Sequence, residues 1–348
     1  MKPKEARIET RREPGVKRLP ADKEVSRLLL AWYARGHRDL PWRNTRDPYA
    51  IWVSEIMLQQ TRALAVIPYY RRFLERFPTV EALASAAEDD VLARWSGLGY
   101  YSRARNLRLA ARHIAAAGFP RDYAAIRALP GIGDYTAAAV GSIAFDLPYA
   151  VLDGNVLRVV ARATNDPGDI SAGRTRERFR EIAQQWLDPR EPGHFNQALM
   201  ELGATVCLPR NPLCLVCPLA ACCLAHQAGT AAQLPVKLRK TAPVRLSGTL
   251  LVVCHRGRIL LRQRAAAASR MAGFWDLPAP EDLPAARLGA HIGAIKHTIT
   301  HHHYTLEVRR ATAILPDRDG FRWFKIAQLA AIPFSTTARK ALRLAGIV

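Results

Sequence analysis

Cys207, Cys214, Cys217 and Cys223 fall in a C-x6-C-x2-C-x5-C array, close enough in sequence for four thiolates to meet at one metal centre. Four sulfur donors without a histidine suit zinc or an iron–sulfur cluster, and spacing leaves both open. Cys222, beside the last ligand, is a substitute of lower rank. Disulfides are the competing use of such cysteines, but they belong to oxidising compartments. The opening segment MKPKEARIETRREPGVKRLP mixes acids and bases without the apolar stretch of a secretory signal. Cys254, in an apolar run, is expected to be an ordinary core residue.

Two carboxylates stand out next. In SEIMLQQT, residues 54–61, Glu55 has Ile51 at i−4 and Leu58 at i+3, so it projects from the apolar face of what reads as an amphipathic helix. Burial favours the protonated form of a carboxyl, which suits a proton donor near neutral pH. The same stretch also fits a surface glutamate paired with Arg62. In VLDGNVLRV, residues 151–159, Asp153 precedes Gly-Asn and an apolar helical pattern, the mark of a helix N-cap. Upstream, LPGIGDYTAAAV at 129–140, whose Tyr135 lies eighteen residues before Asp153, places Gly131 and Gly133 just ahead of a helix. Such a turn exposes backbone N–H groups suited to phosphate, although ordinary turns share the pattern.

These residues must be held by helices. From about 25 to 228 the chain reads as helical segments broken by Gly and Pro, with Asp47-Pro48 starting the helix of Glu55. Further helical patterns cover roughly 62–76, 80–95, 103–117, 122–128, 134–145, 155–163, 173–187 and 194–205. Residues 229–246 read as a linker, rich in small residues, Pro and basic side chains. The period then changes: TLLVVCHRGRILLRQR reads as a β-hairpin turning at 255–258, YTLEVRRATAIL and FRWF as strands, and PFSTTARKALRLAGIV as a closing helix. The expected architecture is therefore multidomain: a basic arm at 1–24, an all-α domain at 25–228, the linker, and a small α+β domain at 247–348. Across 348 residues the formal charge is +21 with a pI near 10.4, which makes a polyanion, nucleic acid above all, the leading partner. No uninterrupted apolar run of about 18 residues suggests a membrane span, and nothing suggests a dimer seam, so a monomer is expected. Nine of the 51 basic residues are lysines, and none lies between Lys23 and Lys237.

The order and spacing of DLPWR at 39–43, VSEIMLQQT at 53–61, GLGYYSRARNL at 97–107, LPGIGDYTA at 129–137, LDGNV at 152–156 and FNQALMELGATVC at 195–207 resemble the adenine DNA glycosylases of the helix-hairpin-helix, endonuclease III superfamily. The resemblance covers most of residues 25–228. It implies a [4Fe–4S] cluster on the four cysteines, shaping a basic loop that includes Arg210 and meets the DNA backbone. It implies base excision repair of adenine opposite 8-oxoguanine or guanine in double-stranded DNA, in the cytoplasm at the nucleoid. Glu55 takes the position of the acid that protonates adenine N7, and Asp153 that of the carboxylate which stabilises the oxocarbenium-like sugar. Tyr135 and Asn155 are implied to support the sugar and Asp153. Arg38, Trp42, Leu58, Gln197 and Met200 would line the pocket for the extruded base. Gln59, Gln60 and Thr61 would face the minor groove and the opposite strand, and Tyr100 would wedge into the stack, since extrusion requires unstacking. Bifunctional relatives use a lysine where this chain has Tyr135, so a monofunctional enzyme is implied. Leu157 stands where some members trap the abasic product with a lysine.

The C-terminal part resembles the Nudix-like domain of the same family, which reads 8-oxoguanine. The hairpin, GFWDLP at 273–278 and KHTITHHH at 296–303 carry that resemblance. The acidic cluster that would hold the metal ions of nucleotide hydrolysis is missing, so recognition without hydrolysis is implied. Where the family has Phe-Ser-His, this chain has Ile299, Thr300 and His301. The hydroxyl and the histidine are kept, but the ring is lost. His302 and His303 adjoin it, and neighbouring histidines on a strand cannot all face one ion. A pyrimidine glycosylase and lyase of the endonuclease III type would need the missing lysine and no second domain. A purely DNA-binding iron–sulfur protein would not need both carboxylates.

Overall fold

The structure, a computed structural model, describes residues 22–238, 242–265, 268, 271–299, 301–313, 320–330 and 332–348. The arm expected at 1–24 falls outside it up to residue 21, and so does Thr300. Twelve helices come first in chain order among the described residues: α1 Asp22–Arg35, α2 Pro48–Leu58, α3 Ala63–Arg76, α4 Val80–Ser85, α5 Glu88–Trp95, α6 Ser102–Ala117, α7 Tyr123–Ala128, α8 Asp134–Phe145, α9 Gly154–Ala163, α10 Gly173–Trp186, α11 Pro192–Thr205 and α12 Leu224–Gln227. The sheet strands follow: β1 Val244–His255, β2 Arg258–Gln263, β3 Trp275–Asp276, β4 Arg287–Ile299, β5 His302–Thr312 and β6 Phe321–Lys325, closed by α13 Thr336–Leu344. None of the described helices is long and apolar enough to cross a membrane.

Most helices begin and end where the sequence punctuates them. Asp47 caps α2, Thr79 caps α4, Asp122 caps α7 and Asp153 caps α9, each accepting backbone N–H groups of the first turn. Gly118, at φ +83°, ends α6. The single helix expected over 80–95 is two. Ser85 turns its hydroxyl back onto the carbonyls of Glu81 and Ala82, the chain extends through Ala86 and Ala87, and Glu88, Asp89 and Asp90 open the next first turn, where carboxylates suit the helix dipole.

The chain forms two compact units. One joins the chain up to Arg38 to Asp146–Leu238 and contains α1 and α9 to α12. The other joins Asp39–Phe145 to the chain from Arg239 onward and contains α2 to α8, the sheet and α13.

In the sheet, strand order is β3-β2-β1-β5-β4, with β6 also pairing β2. The β1–β2 hairpin turns through Arg256 and Gly257, both at positive φ (47° and 74°), which matches the twist of the strands it joins. β1 continues alongside β5 in parallel, from Val244 opposite His302 to Val253 opposite Ala311. α13 packs Ala338, Ala341 and Leu342 against Leu250, Val252 and Phe334 on one face, and Leu251, Val253 and Leu260 form a second core. The sequence gives no clear alternation over β4, because Gly289 and Gly293 interrupt it. There the pairing with β5 shifts register between Leu288 and Gly293. Cys254 corrects the expectation of a core residue: it is exposed, at the end of β1 next to the turn.

Candidate active site

α2 holds its acid inside the protein. All of residues 49–57 are buried, so the helix is enclosed rather than amphipathic. Two of its polar side chains find partners within the fold: the Ser54 hydroxyl donates to the Ile51 carbonyl at 2.7 Å, and Glu55, 3% exposed, accepts the Tyr135 hydroxyl at 2.7 Å. Glu55 is a buried acid and not a surface one. Tyr135 comes from the first turn of α8, just after the hairpin. At Gly131 the backbone has φ +76°, and a Cβ would lie 2.5 Å from the Cβ of Asn106, so only glycine fits. The hairpin thus sets the height from which Tyr135 reaches Glu55.

Beyond Leu58, itself half-buried, the chain leaves α2 through Gln59, Gln60 at φ +59°, and Thr61. Gln59 donates to the Thr136 hydroxyl at 3.2 Å. The guanidinium of Arg103 donates to the carbonyls of Ile56 at 2.7 Å and Gln59 at 2.6 Å, and also to those of Leu98 and Gly99. Burial lowers the pKa of Arg103 to about 10. One side chain therefore ties the end of α2 to the turn bearing Tyr100, whose backbone is left-handed at φ +48° and whose ring is 39% exposed. Trp42 is buried, edge-on to Tyr70 at 5.4 Å.

In the other unit, Asp153 caps α9. One carboxylate oxygen accepts the Val156 N–H at 2.8 Å and the other accepts Asn155 Nδ2 at 2.9 Å. Burial raises its pKa, against the opposing pull of those donors and of Arg158. Asn155 Oδ1 in turn accepts from Arg158 at 2.8 Å, and Arg158 also donates to the carbonyls of Gly203 at 2.8 Å and Cys207 at 2.7 Å. At Gly203 a Cβ would stand 2.5 Å from the Cβ of Asn155, so α11 approaches α9 through a glycine. One turn further along α9, Arg162, 2% exposed, donates to Cys207 Sγ at 3.3 Å and to the carbonyls of Leu208 and Leu234.

Cys207, Cys214, Cys217 and Cys223 line one cavity together with Arg162. Cys222 is outside that lining, with its thiol toward the Leu219 carbonyl. Burial raises the Cys217 thiol to about 12 and pushes Cys223 up as well. Among the described residues, no three His, Cys, Asp or Glu side chains converge to hold a single ion. Four thiols around one cavity are a donor set that a zinc ion or an iron–sulfur cluster can take.

Of the expected pocket residues, Arg38 forms a bidentate pair with Glu201 of α11, at 2.8 and 2.6 Å, which raises its pKa. Gln197 accepts the Tyr33 hydroxyl at 3.0 Å, and Met200 is half-buried one turn on. Ile299 ends β4 opposite His302, with the ring of His302 4.1 Å from that of His301. Arg158, Arg162, Glu201 and Gly203 were missed by sequence reasoning. The available signal was two arginines four apart inside the apolar run VLRVVARA, where a charge needs a buried partner.

Residues 53–185 match the HhH-GPD superfamily of base excision DNA repair proteins, and residues 248–344 match the NUDIX domain. The adenine DNA glycosylase of Rattus norvegicus is 47% identical over 58% of this chain, but the alignment covers only 41% of the rat protein. That of Homo sapiens is 34% identical over 91% of this chain and 73% of its own length. Among solved structures, a thermostable thymine-DNA glycosylase is 29% identical with a TM-score of 0.54, covering 60% of this chain and 97% of its own. An endonuclease III–DNA complex, 20% identical over 61% of this chain and 99% of its own, has a TM-score of 0.51 and shares the fold. The helical region with its hairpin, the Nudix-like sheet and the human relative aligned across both place the chain in the adenine DNA glycosylase family.

Proposed function

We propose that the protein is a monofunctional DNA glycosylase that extrudes and hydrolytically removes adenine mispaired with 8-oxoguanine or guanine. The observation that carries this reading is Glu55, buried and hydrogen-bonded by Tyr135 at the start of the helix after the hairpin. In this role Glu55 delivers a proton to adenine N7 so that the base leaves neutral. Asp153, whose two oxygens are fixed by Val156 and Asn155, stabilises the positive charge growing on the sugar. Residues 25–228 carry the chemistry, and 247–348 read the lesion through Ile299, Thr300 and His301. Gly131 and Gly133 meet a phosphate, Gln59, Gln60 and Thr61 the opposite strand, and Trp42, Leu58, Gln197 and Met200 the adenine. Arg38, paired with Glu201, lines the same pocket. With Tyr135 at the hairpin and no lysine between Lys23 and Lys237, strand cleavage by lysine has no nucleophile there. Cys207, Cys214, Cys217 and Cys223 would hold a [4Fe–4S] cluster, which supplies charge and shape to the loop.

The test is single-turnover base release from duplexes with adenine opposite 8-oxoguanine, guanine or thymine, with and without alkali. Alkali-dependent cleavage of the adenine strand, fastest opposite 8-oxoguanine, is the expected result. An iron-loaded protein that releases no adenine from any duplex overturns the reading.

Two further outcomes follow from the geometry. Cys222→Ser should keep iron, sulfide and visible absorption at the level of the unmodified protein, whereas Cys217→Ser should lose them; equal loss from both would contradict the cavity assignment. Gly203→Ala forces a methyl group against Asn155 and disturbs the carbonyl that Arg158 uses. It should slow adenine release at least about tenfold, the scale of losing a well-oriented hydrogen bond to a charged group, with iron content retained. Unchanged single-turnover rates would show that Asn155 tolerates displacement.

A further inference from the structure

The turn bearing Tyr100 is gripped from two sides within one compact unit. On one side stands Arg103, which joins it to the end of α2. On the other stands the Nudix-like domain. Tyr101, 6% exposed, packs its ring on Phe274, which is fully buried, with centroids 4.0 Å apart. Arg105 donates to the Ala272 carbonyl, and Ser96 donates to the Phe334 carbonyl at 3.2 Å. The partner segment is itself stiff. Met271 and Gly273 both have positive φ, Gly273 and Phe274 exchange backbone hydrogen bonds with Arg264 at 2.9 and 2.8 Å, and Gln263 donates to the Gly273 carbonyl at 3.1 Å. Trp275 pairs with residues 333 and 335, and Asp276 accepts the hydroxyl of Ser335, the N-cap of α13, at 2.8 Å.

We propose that residues 271–276 of the Nudix-like domain position the Tyr100 wedge, with Phe274 as the positioning residue acting through Tyr101. The inference rests on the glycosylase reading and deepens it. Tyr100 holds a left-handed backbone that a non-glycine residue adopts only when its surroundings enforce it. Tyr101 is the next residue in the chain, and its ring is clamped by Phe274. Contact between the lesion-reading domain and the wedge thereby makes unstacking depend on that domain being seated, without Phe274 or Ala272 touching DNA.

A double-mutant cycle tests this with the full-length, iron-loaded protein on duplexes with adenine opposite 8-oxoguanine. Phe274→Ala and Tyr100→Ala should each lower the single-turnover rate by about tenfold or more, and the double variant should be no slower than Tyr100→Ala, since contributions routed through one group do not add. Binding to abasic-product duplex should change less than the rate, and Phe274→Leu, which keeps apolar bulk, should fall between Phe274→Ala and the unmodified protein. Fluorescence of 2-aminopurine beside the target adenine should rise on binding the unmodified protein and much less with Phe274→Ala. Losses that multiply in the double variant, or an unchanged fluorescence rise in Phe274→Ala, overturn the proposal while leaving the glycosylase reading standing. An unmodified protein that releases no adenine overturns both.

Discussion

Glu55→Gln should lower single-turnover adenine release by about 100- to 10,000-fold, the range for removing a positioned proton donor. Gln keeps the length of the side chain and an oxygen able to accept the Tyr135 hydroxyl, so the pocket keeps its shape while the transferable proton is lost. Binding of product DNA should be nearly unchanged for the same reason. Tyr135→Phe removes the hydroxyl that donates to Glu55, and its expected cost is about tenfold, the scale of a hydrogen bond rather than a proton transfer. The pH profile separates the roles. A general acid gives a limb on which the rate falls as pH rises and the acid deprotonates, and that limb should be absent from Glu55→Gln. A Gln variant within tenfold of the unmodified enzyme, with the limb intact, assigns the proton to another group.

The helical frame was legible because helices announce their ends locally. Asp47-Pro48 and Asp153 are caps in sequence and in structure, and each depends on only a few neighbouring residues. What escaped was set by residues far apart in the chain. The burial of Glu55 depends on α8 approaching α2, a contact with no local mark, so SEIMLQQT alone favours a surface pair with Arg62 or another arginine. β4 was hidden because its glycines break the alternation that marks a strand, and its bulge is defined only by the pairing with β5. Arg158 is the clearest case. In sequence it is one arginine among many, and only when α11 and residues 207–208 close around α9 does it join the carboxylate of Asp153, through Asn155, to the backbone of Cys207. The four cysteines were readable as a set. That they line one cavity, with Cys222 outside it, is set by the fold and not by their spacing.

Asp153→Asn should lower the rate by about 100- to 1,000-fold, the scale of losing a preorganised electrostatic partner of the transition state, and at the same time stabilise the fold. Asn is as good an N-cap as Asp, so the bond from the Val156 N–H survives the change. The carboxyl of Asp153 is held above its ordinary pKa by burial, which fixes the sign of the stability effect. Below the unfolded-state pKa, about 3.9 for Asp, both states are protonated and the group contributes nothing to pH dependence. As pH rises, the unfolded chain releases its proton while the folded protein retains it, so the unfolded state binds fewer protons and stability falls until the raised folded pKa is passed. Asn carries no such penalty. The melting temperature of the variant should therefore exceed that of the unmodified protein by a margin that widens from acidic toward neutral pH. Asp276, also raised by burial, is present in both proteins and cancels in the difference. A variant that melts lower at neutral pH, with iron content matched, would mean that the hydrogen bonds from Asn155 and Val156 outweigh the cost of burying the charge, and Asp153 would then hold the fold as well as the transition state.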